Sequence, residues 1–194
     1  MKNADAEGPF TAHIDAFSGA SPGFPEHYVK AFAGLNGVYQ SPPSHIDDVA
    51  YEVFSTARQA LPGALTVGTS VLNPGRIGSE FAMTRGHLHQ ITDRAEIYFG
   101  LSGLGVMLLE SLEGEVQALE VSPGSLVYVP GDWIHRSVNV GSEALVSLFC
   151  FSADAGQDYE IVERSGGMRK LVVDDGHGGW TLQDNPRYMP RDIE

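Results

Sequence analysis

Arg85, Gly86, His87, Leu88 and His89 are consecutive, and Glu96 follows shortly after. In extended backbone, side chains two residues apart share a face, so His87 and His89 present both imidazoles to one point while Leu88 turns into packing. Glu96 heads the next apolar run, and a hairpin-like return brings its carboxylate beside the two rings. His135, after Pro130-Gly131-Asp132-Trp133-Ile134, is the fourth candidate. Three imidazoles and one carboxylate suit a divalent ion, Fe2+, Mn2+, Zn2+, Ni2+ or Co2+. An octahedral ion on four protein ligands keeps two positions for water or a chelating substrate. His-x-His by itself also describes ordinary core or surface histidines, and spacing alone does not separate the two readings.

The elements that must position these residues are short apolar runs between turn signals, at 49–54, 65–72, 80–83, 96–101, 105–110, 115–121, 126–129, 135–139 and 144–151, with a further run at 169–173. Asn73-Pro74-Gly75, Glu113-Gly114, Pro123-Gly124 and Pro130-Gly131 separate them, and neither Pro nor Gly continues a central ladder well. This pattern predicts an all-β sandwich or barrel. Up to residue 48 the chain is punctuated by Pro9, Pro22, Pro25, Pro42 and Pro43, so an irregular arm is expected to pack on the barrel, with at most a short helical piece such as 26–32. The barrel is expected over 49–175 and a C-terminal extension over 176–194.

With 194 residues, one domain with an arm is the natural division. Twelve Lys plus Arg against 25 Asp plus Glu give a net charge of −13, which repels phosphate backbones and anionic lipid surfaces; nucleic-acid and membrane-surface roles are excluded on that ground. Cys150 is the single cysteine, so no intrachain disulfide is possible, and its apolar surroundings predict a buried, inert thiol. The N-terminal residues lack the apolar core of a signal peptide, and no run reaches the ~18 apolar residues of a membrane span, so a soluble cytoplasmic protein is expected. His13, His27, His45 and His177 stand alone and are expected in solvent. Arg136, next to His135 on a strand, is expected to face away from the ion.

The motifs resemble those of the cupin family. His87, His89, Glu96 and Gly103 match its first motif, and Gly124, Pro130, His135 and Asn139 its second. Asp132 stands where a glycine usually lies, and the gap from His89 to Glu96 is longer than the general pattern. Both departures are similar to the cupin-type glucose-6-phosphate isomerases, as are Tyr128-Val129-Pro130, Trp133-Ile134-His135-Arg136, Ala153-Asp154-Ala155-Gly156, Asp158-Tyr159 and Asn185-Pro186-Arg187. The likeness spans roughly residues 49–188.

The resemblance implies a cupin double-stranded β-helix (a small jelly-roll barrel), a homodimer, and interconversion of glucose 6-phosphate and fructose 6-phosphate at a divalent metal. Either an enediolate with proton transfer or a hydride shift satisfies that chemistry. It also implies Glu96 as ligand and base, a double role that the attraction of the cation works against. Tyr98 shares the face of Glu96 and offers a phenolic donor, or is simply an aromatic lining the barrel. Tyr51, Ser70, Thr84, Arg85 and Gly86 resemble phosphate contacts. Gln157 replaces a histidine common in this branch and Phe151 a tyrosine, so a proton-exchanging group and a hydroxyl are missing. An isomerase of a related sugar phosphate, a metal-dependent dioxygenase and a non-catalytic sugar-binding barrel are the alternatives.

Overall fold

The computed structural model describes residues 8–56 and 61–191. Its strands are β1 (Glu26–Ala31), β2 (Val49–Ser55), β3 (Leu65–Leu72), β4 (Arg76–Ile77), β5 (Glu80–Phe81), β6 (Glu96–Ser102), β7 (Gly105–Ser111), β8 (Val116–Val121), β9 (Leu126–Val129), β10 (Trp133–Asn139), β11 (Leu145–Ser152), β12 (Lys170–Asp174) and β13 (Trp180–Asp184). Among the described residues, one short helix, α1 (Glu160–Arg164), and a 3-10 turn at Phe32–Leu35 accompany the strands. The strands form antiparallel sheets in the orders β1-β2-β3-β11-β6-β9, β10-β7-β8 and β13-β12-β5-β4, a cupin double-stranded β-helix. Among the described residues, no helix is long and apolar enough to cross a membrane.

Alternation sets which side chains enter the barrel. On β6, Glu96 and Tyr98 are buried while Phe99 is exposed; on β9, Val127 and Val129 are buried while Leu126 and Tyr128 are exposed. Cross-strand register then places Phe151 opposite Glu96 and Phe149 opposite Tyr98. At Gly68 a Cβ would lie 2.5 Å from the Phe149 ring and 2.2 Å from the Phe54 carbonyl oxygen, so only glycine leaves room for that ring. Every residue of β7 is buried, because the barrel interior covers one face and the C-terminal segment the other. There Glu110 accepts the Arg169 backbone N–H at 2.8 Å and pairs with Arg191.

The short helix expected within 26–32 is not present. Residues 26–31 form strand β1, registered along β2 from Glu26 opposite Ser55 to Ala31 opposite Val49. A helix this short has a costly nucleus and few hydrogen bonds to offset it. Pairing with an existing sheet edge satisfies the same backbone groups and stacks His27 on Phe54 at 4.3 Å. The 176–194 segment likewise contains a strand, β13, paired with β12. Cys150 is half-buried rather than buried; desolvation raises its thiol pKa, with the charge of Glu96 adding to the effect.

Candidate metal centre and its cavity

The segment carrying the first two histidines runs antiparallel to β10. Met83 bridges Val138, Thr84 N–H donates to the Ser137 carbonyl at 2.9 Å, and His87 bridges His135. Between Thr84 and His87 lies one residue more than between Ser137 and His135, so Arg85-Gly86 bulges outward. Gly86 takes φ +79, and a Cβ there would come within 2.9 Å of Arg136 Nε. A bulge with glycine in the left-handed region re-aims the next side chain, here His87. Asp132, in the turn leading to His135, has φ 63, the conformation the motif glycine would supply at lower cost; Asp is among the few other residues that tolerate it.

His87, His89, Glu96 and His135 each offer one ligand atom, and these atoms all lie within 4.8 Å of one another. Glu96 Oε2 is 3.0 Å from His135 Nε2 and 3.3 Å from His89 Nε2. The backs of two rings are tied down: His89 Nδ1–H donates to the Arg94 carbonyl at 2.8 Å and His135 Nδ1–H to the Trp133 carbonyl at 3.1 Å. Such bonds fix the tautomer that leaves Nε2 free to ligate. His89 Nε2 is buried without a hydrogen-bond partner. A buried polar atom left unpaired among two further imidazoles and a carboxylate fits a cation-binding donor set. Burial would raise the Glu96 pKa, but the His135 and His89 imidazoles beside it outweigh that and hold the carboxyl at about 2.

The cluster sits in the wall of a cavity of about 490 Å³. Tyr51, Ser70, Thr84, Arg85, Gly86, Tyr98 and Gln157 all line it together with His87 and Glu96. Thr84 Oγ1 accepts the Ser137 N–H at 3.1 Å, which leaves its own proton to donate. Desolvation raises the Tyr51 hydroxyl well above the ordinary phenol range, with the Arg85 backbone and guanidinium opposing it. Tyr98 is buried, and desolvation followed by the charge of Glu96 raises its pKa further still, so its phenol stays protonated. Tyr159 Oη donates to Gln157 Oε1 at 2.6 Å, and the Gln157 amide nitrogen lies 3.5 Å from His87 Nε2. The Tyr159 hydroxyl thereby sets which end of the amide faces the cluster.

Several lining residues were not singled out by the spacing of motifs. Glu26, His27 and Tyr28 come from β1, where a helix was expected; Tyr28 lies 6.4 Å from Tyr51, and His27, exposed, pairs with Glu52 at 2.7 Å. Ser137 and Tyr159 arrive through sheet and bridge pairing; the sequence signal for Ser137 is alternation with His135, and Tyr159 stands in the Asp158-Tyr159 pair of the resemblance without a role assigned there.

The family model for Glucose-6-phosphate isomerase (GPI) matches residues 29–189. The chain belongs to the cupin-type glucose-6-phosphate isomerase family. It is 44% identical over 191 residues to a glucose-6-phosphate isomerase from Sinorhizobium medicae, covering 95% of this chain and 89% of that protein. A glucose-6-phosphate isomerase from Thermococcus gammatolerans is 40% identical over 185 residues, 93% of this chain and 96% of the relative. Among solved structures, an oxalate oxidase overlays 56% of this chain and 54% of its own with a TM-score of 0.44 at 19% identity.

Proposed function

We propose that this protein interconverts glucose 6-phosphate and fructose 6-phosphate with a divalent ion held by His87, His89, Glu96 and His135. The observation that supports the reading is the quartet, reaching the cavity through His87 and Glu96, beside a hydroxyl- and guanidinium-bearing wall. When bound, the ion supplies Lewis-acid stabilisation of the negative charge that develops on the sugar oxygens during isomerisation. Fe2+ or Mn2+ suits three nitrogens and one carboxylate oxygen.

The chain's own residues supply the rest. Thr84, Ser70 and Tyr51 offer hydroxyls and Arg85 a guanidinium to the phosphate, which a chain of net charge −13 must otherwise repel. Gly86 lines the same wall and offers its backbone amide. Tyr98 holds a proton at its hydroxyl beside Glu96 and donates to a sugar oxygen. Gln157 orients the sugar through its amide and carries no exchangeable proton near neutral pH. Phe151 brings a ring without a hydroxyl to the same wall, and this favours a related sugar phosphate as the second reading. A phosphate-facing wall gives a dioxygenase nothing to use. Finer features of the proposal are a homodimeric, cytoplasmic enzyme with an arm, a barrel and a C-terminal extension as its three segments.

The test is turnover of glucose 6-phosphate by metal-loaded protein beside mannose, ribose and tetrose phosphates, with oxygen uptake monitored. Isomerisation of glucose 6-phosphate without oxygen uptake supports the proposal. Preference for another sugar phosphate moves it to the second reading.

A further inference from the structure

A second cavity, about 300 Å³, opens on the face of β10 turned away from the quartet. Three guanidiniums line it, Arg85, Arg136 and Arg187, with Glu163 as the one acidic lining residue. The whole chain has only 12 Lys plus Arg, so three arginines around one hollow is a strong local concentration of positive charge.

These charges are poorly neutralised. Arg136 is 3% exposed, and its donors go to neutral acceptors: Nη2 to the Arg85 carbonyl at 2.6 Å and Nη1 to Met83 Sδ at 2.8 Å. Its Nε has no partner. Glu80 and Glu110 act on it only at longer range, and burial draws its pKa down to about 10. Arg187 Nη2 donates to the carbonyls of Tyr39 at 2.8 Å and Gly37 at 3.4 Å. Among the described residues neither Arg136 nor Arg187 forms an ion pair; Arg85 alone has a carboxylate, that of exposed Glu163. Arg187 is exposed, so water carries part of its charge; Arg136 is buried, and a buried cation is ordinarily paired because leaving its charge uncompensated away from water is costly. Tethering the Arg85 loop and the 37–39 segment accounts for the hydrogen bonds, but neutral carbonyls and a thioether leave the Arg136 charge offset only by the longer-range field of Glu80 and Glu110, and Glu80 acts on Arg187 as well.

We propose that this hollow is a second anion site, taking a phosphate-type oxyanion, free or carried on a small metabolite, between Arg136 and Arg187. Its basis is the arginine cluster and is separate from the isomerase reading. Arg85 and Tyr159 line both cavities, and Arg85 lies 4.9 Å over the Tyr159 ring. An anion here competes with Glu163 for Arg85 and so alters the KM of the first cavity without altering its metal content.

The test titrates metal-loaded full-length protein calorimetrically with inorganic phosphate and, separately, glycerol 3-phosphate, and reads the number of sites per chain. The expected result is a second site beyond that of the first cavity for at least one of them, the tighter marking the free or carried form. Arg187→Gln keeps an amide for the Tyr39 carbonyl but drops the charge; it should weaken the second site about tenfold with melting temperature unchanged. No second site for either anion, or an undiminished one in folded Arg187→Gln, overturns the proposal. Should that variant not fold, arsenate located by anomalous scattering in the wild-type protein decides. A peak between Arg136 and Arg187 supports the site, and an empty hollow at a concentration that fills the first cavity refutes it. Loss of binding confined to the first cavity tells against the isomerase reading alone.

Discussion

His89 Nδ1–H donates to the backbone carbonyl of Arg94 at 2.8 Å, and both oxygens of Asp154 grip the Arg94 guanidinium at 3.1 and 3.0 Å. The turn that makes the gap from His89 to Glu96 long is therefore the support that aims a ligand. Asp154→Asn keeps the shape and loses the charge. Metal affinity, measured by competition with a chelator, should fall about tenfold, as for other outer-shell partners. Unchanged affinity would mean that the clamp does not position His89.

The same pair predicts a pH effect. Hydrogen bonds from Arg94 hold the Asp154 carboxyl below its ordinary 3.8. A lowered carboxylate pKa contributes stability above the unfolded value, and that stability is lost as pH falls through the folded one. In metal-free protein between about pH 5 and pH 2, the melting temperature of wild type should fall more steeply than that of Asp154→Asn. Parallel slopes would show that the pair contributes nothing to acid stability.

His135→Ala removes one of the four ligand atoms together with the partner nearest Glu96. Elemental analysis after dialysis should find the metal gone, an affinity loss beyond the ~100-fold ceiling of outer-shell changes. The same holds for His87→Ala. Wild-type metal content in either variant contradicts the ligand assignment.

Tyr159→Phe releases the Gln157 amide to rotate. Losing one part-buried hydrogen bond of about 1 kcal/mol should raise the KM for sugar phosphate roughly fivefold with a smaller change in kcat. A fall in kcat at constant KM would instead place the hydroxyl in the chemical step.

Arg191 is 4% exposed at its side chain and pairs with fully buried Glu110. Arg191→Ala leaves that carboxylate with the Arg169 N–H and the Tyr188 hydroxyl for company. Breaking a buried pair from one side costs about 3–5 kcal/mol, readable in urea unfolding. A loss under about 1 kcal/mol would mean that water reaches Glu110 as soon as the C-terminal segment loosens.

Strands β3 and β9 are legible in the sequence to the residue, because Pro and Gly turns bound both, and β9 alternates strictly as well. The quartet was legible too, since two of its members are two residues apart and a third heads the next strand. Strand β1 was not. Its flanking prolines and lack of clean alternation hide a strand whose existence depends on pairing with β2, a contact invisible to local propensity. Ser137 and Tyr159 reach the cavity by the same long-range pairing. The face occupied by Arg136 follows from alternation with His135, but the hollow it lines does not. That hollow needs Arg187, which arrives from 51 positions further along the chain.

The most direct measurement is glucose 6-phosphate isomerisation by protein stripped of metal with a chelator and then titrated with Fe2+ or Mn2+. Activity should vanish on stripping and return in proportion to ion bound, saturating at one per chain. Full turnover in protein shown by elemental analysis to be metal-free would contradict metal-assisted isomerisation at His87, His89, Glu96 and His135.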